Sequence, residues 1–224
     1  MPLQTIEIET AANPRHAVIW LHGLGADGHD FEPIVPQLVD RAWPALRFVF
    51  PNAPVRPITI NGGMAMRAWY DISGLEIAQR QDESGIRASV LLVGELIERE
   101  VARGVPAQNI LLAGFSQGGA VVLGGGVRYP QRLGGIIALS TYLPLAEKTD
   151  AEAATANREV PVFMAHGMLD PTISHALGEM SRDYLAQRGY NVEWHAYPMA
   201  HQVCAEEIDD LKRWLGARLG QPAA

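Results

Sequence analysis

The sequence predicts an α/β fold, with a mostly parallel sheet flanked by helices. Two observations predict the architecture. Short, near-continuously apolar runs recur along the chain, as strands buried on both faces do. Longer stretches with apolar residues at helical spacing lie between them. A third observation bears on domain number. No repeat, low-complexity tract or linker divides the 224 residues, so residues 1–224 read as one domain. Only residues 220–224 read as a disordered tail.

The expected strands are His16 to Leu21 (HAVIWL), Leu46 to Phe50 (LRFVF), Ile110 to Phe115 (ILLAGF), Gly135 to Ser140 (GIIALS) and Pro161 to Ala165 (PVFMA). Asn191 to Tyr197 (NVEWHAY) alternates apolar and polar residues, and so reads as a strand nearer an edge. Ile86, Val90, Val93, Ile97 and Val101 mark one buried helical stripe, which Gly104 ends. Ile208, Leu211, Leu215 and Leu219 mark another. From Pro51 to about Ser84 there is no clear period. A loop of that length in a compact domain is usually functional, and it reads as a wall over the site or as an irregular packed excursion.

Composition narrows the function. Apolar residues make up 48% and charged residues 19%, which suits a sizeable core. The formal net charge is -7 and no dense Lys/Arg stripe is present, which argues against nucleic-acid binding. The one cysteine, Cys204, permits neither an intrachain disulfide nor a Cys-based zinc site. The first ten residues lack the basic start and apolar core of a signal peptide. No window approaches about 18 consecutive apolar residues, so no stable membrane insertion is expected. These features suggest a cytoplasmic protein.

Gly114-Phe115-Ser116-Gln117-Gly118 is a G-x-S-x-G motif. It follows a strand and precedes a stretch, Gly119 to Tyr129, that can run as a helix. That setting makes a nucleophile elbow, in which a tight turn thrusts the serine hydroxyl outward, as in an α/β-hydrolase. Gly114 and Gly118 are then small for steric reasons. Gly124, Gly125 and Gly126 have no firm explanation at this level, because glycine weakens helix interiors.

A serine hydroxyl needs a base, and the base needs a third group to orient it. In this fold class the order is Ser, then acid, then His. His16, His22 and His29 come too early, His166 precedes the best acid, His175 sits at a helix start and His195 lies inside a strand. His201 follows the last strand and is the expected base. Asp170, in a strand-end loop, is the expected acid. The alternative for Asp170 is a helix N-cap, with Pro171 opening the next helix. Asp150 and Asp183 are weaker rivals. For the oxyanion, the Gln117 N–H at a helix start and the Leu24 N–H in the loop His22-Gly23-Leu24-Gly25 are the expected donors. His22 reads as a loop-holding residue. No cofactor or metal is expected.

LHGLGADG at Leu21 to Gly28, GFSQGG at Gly114 to Gly119, LSTYLP at Leu139 to Pro144, HGMLDP at His166 to Pro171 and the segment around His201 to Cys204 resemble the carboxylesterase and acyl-protein thioesterase (phospholipase/carboxylesterase) family. The resemblance implies a compact α/β-hydrolase without a large cap domain and without a cofactor. It also implies a triad of Ser116, Asp170 and His201, oxyanion amides at Leu24 and Gln117, and often a homodimer. Arg67 to Asp71 resembles a family stretch whose tryptophan lines the pocket, which places Trp69 there; a core tryptophan is the alternative. The family usually has glycine where this chain has Ala200, and an apolar residue where this chain has Thr172, at the expected acyl pocket. Cys204 reads as an inert buried thiol. Met64 and Met66 read as lining the loop over the site or filling core gaps.

The expected partner is a small-molecule ester or thioester. The expected function is a serine carboxylesterase for short- to medium-chain esters, acting through an acyl-enzyme. Acyl-protein thioesterase or lysophospholipase activity is the alternative. A non-catalytic binding protein on the same fold is the alternative from another class.

Overall fold

In the computed structural model, residues 2–74 and 80–219 are described. The expected tail at 220–224 lies outside them. Among the described residues there are nine strands: β1 (Thr5–Glu9), β2 (His16–Leu21), β3 (Leu46–Pro51), β4 (Val55–Ile58), β5 (Met64–Arg67), β6 (Ile110–Phe115), β7 (Gly135–Leu139), β8 (Val162–Gly167) and β9 (Val192–Tyr197). The helices are α1 (Val35–Leu38), α2 (Glu83–Ala102), α3 (Gln117–Gly126), α4 (Thr149–Glu152), α5 (His175–Gln187) and α6 (Ala205–Leu219).

Seven strands form one sheet in the order β1-β3-β2-β6-β7-β8-β9. All neighbours pair in parallel except β1, which runs antiparallel to β3. The sequence reading did not assign β1 as a strand. Its alternation is short, and its outward glutamates take partners that only the fold supplies. Glu7 meets Arg99 of α2 and Arg103 just after it, and Glu9 meets Arg47 of β3. The aperiodic stretch after β3 holds a second missed feature, the two-stranded hairpin β4–β5. Its strands are four residues each and only one of their residues is buried, so no apolar stripe announces them.

Apolar residues on both faces of the sheet make two core layers. Helix α3 is buried along its whole length, and its glycines are explained by contact. A Cβ on Gly126 would come within 2.5 Å of Ile136, and one on Gly124 within 2.8 Å of Pro144. Each glycine costs about 0.5–1 kcal/mol of helix propensity. The loss is offset by close seating of the helix against β7 and the Pro144 loop. A groove of about 500 Å³ runs between α2 and α3, lined by Val90, Leu91, Gly124 and Arg128 among others, and Ser116 is not part of its lining.

The first turn of α6 carries a fully buried carboxyl, Glu207. Neither oxygen makes a hydrogen bond of ordinary geometry among the described residues, and a weaker contact with the Cys204 backbone N–H offsets the burial only in part. Burial pushes this carboxyl up to about 8. The folded chain therefore holds a proton that the unfolded chain releases above its ordinary carboxyl range. The resulting stability is full below about pH 4.5 and is lost as pH rises toward 8, a few kcal/mol in order of magnitude. Glu207→Gln should flatten this decline. Urea unfolding at about pH 5, 7 and 8.5 checks it. The variant's advantage over wild type should grow with pH; a constant difference would refute the assignment.

Candidate active site

The site lies at the carboxyl ends of the parallel strands, where loops leave the sheet. Ser116 occupies the turn between β6 and α3, with φ 54° and ψ -120°. This is a sparsely populated backbone region, costing roughly 1–3 kcal/mol. Three hydrogen bonds hold it there: Ser116 N–H to Leu139 O at 2.9 Å, Ala120 N–H to Ser116 O at 3.0 Å, and Thr141 Oγ1 to Ser116 O at 2.7 Å. The glycines around the turn are sterically required. A Cβ on Gly114 would lie 2.5 Å from the Gly118 carbonyl, and one on Gly118 would lie 2.5 Å from His22 O.

The structure brings the three expected side chains together. His201 Nε2 lies 2.9 Å from Ser116 Oγ, and His201 Nδ1 lies 2.6 Å from Asp170 Oδ2. A carboxylate accepts, so Nδ1 carries the proton and Nε2 is free to accept from the serine. Asp170 Oδ1 accepts the N–H groups of Thr172 at 2.8 Å and Ile173 at 2.9 Å. These bonds hold the carboxylate in a local turn. The following helix starts only at His175, so Pro171 does not open it and Asp170 is not its cap. The rival acids Asp150 and Asp183 pair with Arg188 and Arg182 instead.

The His201 loop is stapled to the Asp170 loop. Leu169 N–H donates to Met199 O at 3.0 Å, and a Cβ on Gly167 would lie 2.3 Å from Ala200 O. Ala200 is not among the residues with positive φ, so alanine fits this loop without the strain that the family's glycine suggested. Phe115 packs on the His201 ring at 4.7 Å between centroids, and Phe31 packs on Phe115 in turn. The sequence reading passed over Phe115, although its place inside the motif at the strand exit was the available signal.

Leu24 and Gln117 flank the serine. A Cβ on Gly23 would lie 3.5 Å from Ser116 Cβ, which sets the Gly23–Leu24 segment beside the nucleophile. Among the described residues, neither the Leu24 nor the Gln117 N–H donates to a protein acceptor. Gln117 also works through its side chain, a role the sequence did not suggest. Its amide accepts the Trp69 N–H at 2.8 Å and donates to Tyr70 O at 2.7 Å.

Trp69 differs from the expectation of a pocket-lining ring. It is fully buried, and its indole N–H donates to His22 O at 2.9 Å. An indole seeks a buried acceptor, and here that need ties the wall to the loop beneath the expected oxyanion donors. His22 is buried and holds the same loop. Its Nδ1 donates to Gly23 O and its Nε2 accepts the Ala53 N–H, while burial keeps the imidazole neutral by lowering its proton affinity. Thr172 is exposed near the mouth. Met66 approaches Gly25, and Met64 is exposed on the hairpin. Cys204 is half-buried, and burial raises its thiol.

A polarised hydroxyl, an oriented imidazole and two unengaged amides can attack a carbonyl carbon and hold the resulting oxyanion. Among the described residues, no group of three or more His, Cys, Asp or Glu is arranged to hold a metal ion. Among them, too, no helix is long and apolar enough to cross a membrane.

The profile of the phospholipase/carboxylesterase family matches residues 3–219. Acyl-protein thioesterase 1 of Neurospora crassa is 41% identical, covering 96% of this chain and 92% of that protein. Two solved structures share the fold across nearly the whole chain. SOBER1 of Arabidopsis thaliana matches with a TM-score of 0.87 and 31% identity, covering 92% of this chain and 100% of that one. Acyl-protein thioesterase 2 of Zea mays matches with a TM-score of 0.85 and 27% identity, covering 97% and 99%.

Proposed function

The chain belongs to the phospholipase/carboxylesterase family and is a serine hydrolase, and from that premise we propose that it cleaves acyl esters and thioesters with Ser116, His201 and Asp170 as its triad. The observation that carries this reading is the pair of contacts at His201, 2.9 Å to Ser116 Oγ and 2.6 Å to Asp170 Oδ2.

In the proposed mechanism His201 takes the Ser116 proton as Oγ attacks the acyl carbonyl. The Leu24 and Gln117 N–H groups hold the oxyanion. The tetrahedral intermediate collapses, His201 returns the proton to the leaving alcohol or thiol, and an acyl-serine remains. Water then attacks this ester, His201 taking its proton, and the acid departs as Ser116 is restored. Asp170 keeps the imidazole in its Nδ1-protonated form and offsets its charge while it is protonated.

Residues alone put simple carboxylic esters first. The thioesterase relatives move the preference toward acyl thioesters, while esters stay within the reading. Apolar side chains near the site suit an acyl chain. Met168 and Leu169 are exposed just before Asp170, and Met64 is exposed on the hairpin that leans on the Gly25 loop. The test compares kcat/KM on p-nitrophenyl esters and on S-acylated cysteine peptides, each from acetyl to palmitoyl. Thioester turnover at or above the matched ester, rising with chain length, supports the reading. Turnover confined to short esters would make the protein a simple carboxylesterase. Absence of turnover together with failure of a fluorophosphonate to label Ser116 would favour a binding protein on this fold.

A further inference from the structure

A second histidine stands behind the Asp170 carboxylate. His166, at the end of β8, is fully buried, and its Nε2 lies 2.9 Å from Ile173 O and 3.5 Å from Asp170 Oδ2. A carbonyl only accepts, so Nε2 carries the proton. The other nitrogen, Nδ1, is buried with no partner among the described residues. It faces Gly178 of α5, where even a Cβ would come within 2.5 Å. A second proton on this ring would have no acceptor, so the ring has one neutral tautomer and one orientation. Its titratable neighbours are Asp170, His175 and His201, and burial is the largest influence on it, favouring the neutral form.

The consequence falls on Ile173. Its N–H donates to Asp170 Oδ1, and its C=O accepts from His166. One residue is thus pinned at both polar ends, and one end is a support of the acid. The same imidazole N–H edge also faces Oδ2, the oxygen that receives His201.

We propose that His166 is a positioning residue that aims the Asp170 carboxylate at His201, by anchoring Ile173 and by presenting a neutral N–H edge to Oδ2. The proposal rests on the triad reading above. His166 touches no reacting atom and acts only through Asp170. A neutral ring is essential to the role, because an imidazolium there would compete with His201 for the carboxylate.

The test compares the full-length wild type with His166→Leu, similar in size but without a donor, and His166→Gln, whose amide N–H can reach the Nε2 position. Ser116→Ala and Asp170→Asn are run beside them. In folded His166→Leu, kcat on a p-nitrophenyl ester should fall about tenfold or more with KM nearly unchanged, the size of one lost supporting hydrogen bond. The acid-side midpoint of the kcat/KM profile should also fall, because a poorly aimed carboxylate stabilises the imidazolium less. His166→Gln should recover most of both. The far-downfield proton signal of the His201–Asp170 hydrogen bond should weaken in the leucine variant and return in the glutamine variant. If His166→Leu does not fold, His166→Asn, whose amide is too short to reach Ile173 O, takes its place under the same criteria. A folded donor-less variant with wild-type kcat, midpoint and proton signal overturns the proposal. So does a glutamine variant as impaired as the donor-less one, which would mean a packing role alone. Retained activity in Ser116→Ala or Asp170→Asn would instead overturn the underlying triad reading, which separates the two failures.

Discussion

Ser116→Ala should lower kcat on an activated ester by on the order of 10⁶-fold and leave the protein folded. The size follows from cooperation within the site. Without the hydroxyl there is no acyl-enzyme, and His201 and Asp170 have no nucleophile to activate. Retention of the fold follows from how the turn is held. The three hydrogen bonds at Ser116 use its backbone N–H and C=O, and alanine keeps both. Alanine also keeps the strained φ of 54°, so it does not relieve the turn. Glycine does. Ser116→Gly should be equally inactive yet gain about 1 kcal/mol of stability, by releasing part of that strain. Thermal or urea unfolding of the two variants beside wild type checks this, with ester turnover measured on the same samples. Turnover within tenfold of wild type in either folded variant would refute the role of Ser116.

Asp170→Asn should cost about 10⁴-fold in kcat with little change in KM or stability. Here the surroundings dictate which way the new amide points. Two backbone N–H donors, from Thr172 and Ile173, converge on Oδ1. The asparagine oxygen must take that position, because an NH₂ group there would face two donors. The NH₂ group is therefore left facing His201 at the Oδ2 position. Nδ1 of His201 then becomes the acceptor, and its proton moves to Nε2. That tautomer donates toward Ser116 and cannot take its proton. Since both backbone bonds to the side chain survive, the loop should keep its shape. Kinetics together with a thermal unfolding curve separate the outcomes. A variant that loses activity only in proportion to lost stability would point to a structural role for Asp170.

Much of the fold and the chemistry was legible in the residues themselves. The strands β2, β3, β6, β7 and β8 are apolar runs because both faces of the sheet are covered, and burial on both faces leaves a plain signature. Ser116, Asp170 and His201, which the structure brings within hydrogen-bond reach of one another, could be picked out as candidates because each sits beside a strand end, in the order this fold class uses. The edge strand β1 and the hairpin β4–β5 were not legible, since strands of four or five residues that are only partly buried carry little pattern.

Other properties belonged to the tertiary structure alone. The glycines of α3 look destabilising along the chain and become necessary only when Ile136 and Pro144 press against them. The family resemblance of Arg67 to Asp71 put Trp69 at the pocket, but its indole N–H is drawn to His22 O and the ring is fully buried. His166 looks, in sequence, like a strand-end histidine that merely precedes the expected acid. Its neutral tautomer and its hold on Ile173 exist only because β8, α5 and the Asp170 turn converge on it. The physical reason is the same in each case. Residue type and spacing along one element determine which groups can react and which faces are apolar. Contacts between residues far apart in sequence decide which buried polar atoms find partners, and so where those groups are aimed.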